Sequence, residues 1–235
     1  MAPNIGSRSG RACGTLSRVI VMQPVLEVYA SDDFALWPVA RSEAFGYLAL
    51  HGEMTTPEIG TAVRRIAECN DIDPDPRADD DRPARPPDPV GSFLHGLLTF
   101  ERPFAAGGLR VMDSTTGVVF LPGCCNGLED WRDWHTLLHG SGPVSFGHDP
   151  DPTAELSGNT VRLTVDTARD DSPVIEITAA ELRPLLDRVE RDLAGFLRPA
   201  ADWAVRNVAD RSASVTAALA RAVGMPVPGT TRFDL

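Results

Sequence analysis

The 235-residue chain contains no lysine; its 22 basic residues are all arginine, set against 33 aspartates and glutamates for a formal net charge of −11. Without lysine there is no Schiff-base chemistry and no phosphate-gripping lysine of a nucleotide-binding loop. An acidic surface disfavours nonspecific attraction to nucleic acid or anionic lipid. Long hydrophobic runs are also missing. No stretch approaches the ~20 apolar residues of a spanning helix, so no membrane partner is expected. Cysteine is scarce, and two of the four residues (Cys13, Cys69, Cys124 and Cys125) are adjacent, which is not the framework of a disulfide-stapled secreted domain. The apolar patch Val19–Met22 is too short for the ~7–15-residue core of a signal peptide, so a cytoplasmic location is expected.

What is present is an ordinary globular mixture, 43% apolar and 23% charged, long enough to bury a sizeable core. Composition divides it. Residues 1–18 read as a disordered start or an over-extended gene model, and 19–69 as a small, mainly helical N-terminal unit. Residues 70–90 hold seven aspartates, six prolines and three arginines and read as a flexible linker or long loop. The main domain spans 91–224, and 225–235 is a flexible tail.

Periodicity supplies the elements. Val19–Tyr29 reads as a strand broken near Pro24, Ser42–His51 as helical, and Thr56–Cys69 as a helix with proline in its first turn. Residues 92–100 suit a short helix. Leu109–Met112 with Val118–Leu121, and Thr153–Leu156 with Thr160–Asp166, suit hairpins, and Val174–Ile177 a further strand. Thr178-x-x-Glu181 is a capping box opening a long helix that Pro184 and Pro199 should bend or split; a last helix ends at Gly224. Strands in hairpins with helices grouped at the end predict an α+β fold: an antiparallel sheet of two hairpins plus a further strand, packed by helices.

The densest group of unusual residues is Pro122–His139, PGCCNGLEDWRDWHTLLH, read as a tight loop and then a helix from Leu128 to His139 capped by Asn126. Three chemistries compete there. A thiol at a helix start has a depressed pKa, which makes Cys125 a candidate nucleophile or redox group, with Cys124 as its partner and His148 or His95 as the base. Metal is not expected, because Cys125 and His135 would lie about 15 Å apart on a helix; a residual possibility pairs His135 and His139 with a distant carboxylate or His148. No cofactor is indicated. The third reading is a binding surface made by Glu129, Arg132 and Asp133, with Trp131 or Trp134 partly exposed as an anchor. Elsewhere, Asp71-x-Asp73-x-Asp75 starts like a calcium loop but has Pro76 and Arg82 where glycine and glutamate belong. Residues 47–66 suit a helix-turn-helix, with Arg64 and Arg65 on its second helix.

The run GGLRVMDSTTGVVFLPGCCNGLEDWRDW, followed by GHDP, resembles a group of actinobacterial proteins over residues 90–205. That resemblance implies a domain boundary and a source, and no activity. The order of strands and helices is similar to SUKH-type immunity domains at the level of architecture only. The leading expectation is therefore a non-enzymatic protein that acts by binding another protein, as an immunity-type or regulatory factor. The alternatives are a thiol enzyme or redox protein centred on Cys125, and a DNA-binding regulator through residues 47–66.

Overall fold

The computed structural model describes residues 18–30, 33–43, 45–75, 77, 80–140 and 142–227. Cys13, the proposed disordered start up to residue 17 and the tail beyond residue 227 lie outside the described residues. The class is α+β, and the strands are antiparallel throughout. They divide into two four-stranded sheets rather than one. The first holds β1 (Ile20–Val28), β2 (Gly46–Ala49), β3 (Gly107–Asp113) and β4 (Val119–Phe120), in the order β2-β1-β3-β4. The second runs in sequence order: β5 (Val144–Ser145), β6 (Thr153–Ser157), β7 (Thr160–Thr164) and β8 (Val174–Thr178). Both expected hairpins are present, as β3–β4 and β6–β7, and β8 is the further strand.

β1 is continuous through Pro24. The Pro24 carbonyl accepts from Leu50 N–H, just beyond the end of the β2 ladder. A residue's N–H and C=O point to the same side of a strand, so the missing N–H faces a place where pairing is already running out. The other side stays free to pair with β3 from Ile20↔Asp113 to Leu26↔Gly107. Sheet one thus combines two strands from residues 19–69 with two from residues 91–224.

Among the described residues five α-helices accompany the sheets: α1 (Thr56–Cys69), α2 (Pro89–Thr99), the single turn α3 (Trp134–Leu137), α4 (Ala179–Asn207) and α5 (Ser212–Ala222). α1 and α4 both open on capping boxes, Thr55 with Glu58 and Thr178 with Glu181. α4 runs unbroken through Pro184 and Pro199. It lays Leu182, Leu186, Val189, Leu193, Phe196 and Trp203 into one core shared with both sheets, where Trp203 meets Trp37 edge-on at 5.2 Å. Among the described residues no helix is long and apolar enough to cross a membrane.

Two further expectations change here. Residues 46–49 are β2, held antiparallel to β1, so residues 47–66 do not make a helix-turn-helix. Arg64 and Arg65 are spent inside the fold: Arg64 pairs with Glu68 at 2.6 Å, and Arg65 donates to the Glu27 carbonyl while lying over Tyr29. Leu128–His139 is not a regular helix either. It is a 3₁₀ segment over Leu128–Asp133 followed by the one turn of α3. Asn126 does not cap it, because its side-chain amide donates to the Gly107 carbonyl at 2.6 Å instead.

Candidate functional site

Two loops, one from each sheet, cross at the surface. The chain leaving β4 runs through Pro122–Gly127; the chain leaving β5 runs through Phe146–Pro152 toward β6. Gly123 N–H donates to the Phe146 carbonyl at 2.9 Å. Cys124 and His148 then exchange both backbone hydrogen bonds as an isolated antiparallel bridge. The crossing is too close for side chains at its centre. A Cβ on Gly123 would stand 2.4 Å from the Pro150 carbonyl oxygen, and one on Gly147 would stand 2.6 Å from the Cys124 carbonyl oxygen. Gly147 also takes φ +101°, in the region that favours glycine.

The crossing is braced from beneath and from both flanks. Phe120 at the end of β4, Trp134 in α3 and Phe146 form an aromatic cluster, with Trp134 stacked on Phe146 at 4.5 Å. Gly107 N–H donates to the Asn126 carbonyl, Leu128 N–H to the Ala105 carbonyl, and the Tyr47 hydroxyl to the Pro122 carbonyl at 3.0 Å. So much of the backbone at the crossing is hydrogen-bonded, while three of its side chains face solvent.

Those three are Cys124, Cys125 and His148, all exposed, with ligand atoms within 4.8 Å of one another. The two sulfurs are 3.5 Å apart. Cys125 and Asp149 both have positive φ, +62° and +51°, which turns their side chains away from the regular alternation of extended chain. Asp149 Oδ2 lies 3.2 Å from His148 Nδ1. An ionised carboxylate only accepts, so Nδ1 carries the proton and Nε2 keeps its lone pair in the neutral ring.

The charges reinforce one another. Hydrogen bonding from Cys124, and then from His148, holds the Cys125 thiol below its ordinary range. The same sulfur–sulfur hydrogen bond pushes the Cys124 thiol up. His148 is raised, first by its hydrogen bond to Asp149 and then by Cys125. These shifts favour a thiolate on Cys125 facing an imidazolium on His148. Cys69, by contrast, is a half-buried thiol pushed up chiefly by burial. A narrow cavity of about 210 Å³ opens beside Cys125, lined among others by Asn126, Asp130, Asp133 and Ser145.

The other sequence candidates are elsewhere or otherwise occupied. Trp131 and Trp134 are both buried, at 2% and 1% exposure, which corrects the expectation that one is an exposed anchor. Trp134 fills the space between the sheets, and Trp131 lies against His135 and under the Arg132 guanidinium. Arg132 also pairs with Glu190 at 2.9 Å. The Glu129 carboxylate accepts from Ala105 N–H, and its pKa is raised mainly by burial. Asp133 remains exposed at the cavity. His135 and His139 join no ligand cluster among the described residues, and His95 is buried against the Pro83 carbonyl, so His148 is the imidazole beside the thiols. Asp71 and Asp73 are ion-paired to Arg85. The sequence reading missed the Cys124–His148 bridge; its signal was the glycine just before Cys124 and the one just before His148.

No family model, curated protein or solved structure matches the chain.

Proposed function

We propose that the crossed loops form a thiol–disulfide exchange site. Cys125 is the attacking sulfur, Cys124 the resolving sulfur, and His148 the group that takes and returns the proton. One observation carries this reading: two exposed sulfurs 3.5 Å apart beside an imidazole oriented by a carboxylate. The Cys125 thiolate attacks one sulfur of a low-molecular-weight disulfide, forming a mixed disulfide and expelling one thiolate, which is protonated. Cys124 then attacks the Cys125 sulfur and expels the second thiolate. The disulfide is reduced to two thiols, and the protein dithiol is oxidised to a Cys124–Cys125 disulfide.

Adjacent Cα atoms lie about 3.8 Å apart, below the ~4.4–6.8 Å span of relaxed disulfides, so the oxidised pair is strained and readily reduced again. Such a labile bond suits a regulatory or transfer role rather than a structural one. A dithiol regenerated by the thiol pool also suits the cytoplasm.

The test is mass spectrometry of the reduced full chain treated with oxidised glutathione. The expected product has lost two hydrogens, mapped to Cys124 and Cys125, with two thiols released per chain. Cys124→Ser should stop at a mixed disulfide on Cys125. The rate should climb with pH as thiolate forms, and His148→Gln should move that climb to higher pH. Oxidation confined to other cysteines, or a rate profile indifferent to His148→Gln, overturns the proposal.

A further inference from the structure

We infer that Cys124, Cys125 and His148 also form a binding site for Zn²⁺, with the fourth position open to solvent, and that the bound ion caps the thiols. The inference rests on the thiol reading of the same site. Three ligand atoms of the types zinc prefers converge within 4.8 Å on a surface where an ion can arrive directly. The sulfur spacing favours a tetrahedral ion. With sulfur–metal bonds of about 2.3 Å, a separation of 3.5 Å subtends roughly 100° at the metal. That is nearer the tetrahedral angle than the wide angle of a three-coordinate copper(I) site. Charge agrees as well, since two thiolates and a neutral imidazole balance a divalent ion.

The support around the ligands is also what zinc requires. His148 gives Nδ1–H to Asp149, which fixes the tautomer and leaves Nε2 as the donor. The Cys124–His148 backbone bridge and the close crossing at Gly123 and Gly147 hold ligands from both loops in register before any ion arrives. Binding displaces any protons on the two thiols and draws charge from both sulfurs into the metal bonds, which lowers their nucleophilicity, so zinc occupancy slows exchange.

Zn²⁺ titration of the reduced full chain under anaerobic conditions, in competition with a chromophoric chelator, tests the site. One equivalent is expected. Bound Zn²⁺ should protect Cys124 and Cys125 from alkylation. Cys124→Ser, Cys125→Ser and His148→Ala should each weaken binding by more than tenfold, and Asp149→Asn by about tenfold. Cys13→Ser should leave the stoichiometry unchanged. Absence of stoichiometric binding, binding that survives Cys124→Ser and Cys125→Ser, or capture of copper(I) without Zn²⁺ overturns the inference. The glutathione reaction, run without metal, separates the two claims. Exchange without zinc binding removes only this inference, and zinc binding without exchange removes only the exchange reading.

Discussion

Two irregular segments of this chain differ in how they use their side chains. The described residues of 70–87 carry no helix or strand, and two of the segment's arginines pair with aspartates inside it. Arg85 pairs with Asp71 at 2.6 Å and with Asp73 at 2.7 Å, and Arg82 pairs with Asp80 while lying over Phe100 at 4.0 Å. Asn70 anchors the start of the segment: it is buried, donates to the Ile66 and Phe104 carbonyls and accepts from Phe104 N–H. In the Pro122–Gly127 and Phe146–Pro150 loops the backbone is engaged instead, and the chemically potent side chains face solvent. A charge-rich loop with two arginines paired within it reads as structure. A loop held by its backbone, with two thiols and an imidazole left outside, reads as a site.

Three substitutions probe that contrast. Gly147→Ala should be the most damaging, at about 3 kcal/mol, because a left-handed residue gains a Cβ against the Cys124 carbonyl. Urea unfolding reads the loss, and a cost near zero would mean the loops do not truly cross. Asn70→Ala should cost about 2 kcal/mol by the same measurement, since it leaves the half-buried backbone groups of Phe104, and the Ile66 carbonyl, without their partner. Arg85→Ala should stay within about 1 kcal/mol, because its acidic partners are well exposed and salt-screened. If it matched Gly147→Ala, the segment would be held by its ion pairs and the distinction between the two regions would dissolve.

Much of the fold was legible in the sequence because it is written locally. The Thr178–Glu181 capping box, the two hairpins and the apolar spacing of α1 depend on neighbours a few residues away. The failures were tertiary. Residues 46–49 looked helical and became β2 because β1 offered an open edge. The expected helix after Asn126 shortened because that side chain was drawn to Gly107 and the two tryptophans were drawn into the core. Within the site, the adjacent cysteines were visible as candidates, and so was His148 as one possible base. Their meeting was not, because it depends on a backbone bridge between two loops that belong to different sheets.

The arginine-only ion pairs have a consequence for reactivity. Guanidinium groups are poor nucleophiles, so Arg82, Arg85 and Arg132 pair with their carboxylates without offering a reactive nitrogen. No side-chain amine exists to compete for an electrophile. A disulfide, an aldehyde or an oxidant arriving at the described surface therefore meets one dense patch of nucleophilic atoms, the pair of sulfurs at the crossing. Chemical selectivity for that patch is set by the composition of the whole chain as much as by the geometry of the loops.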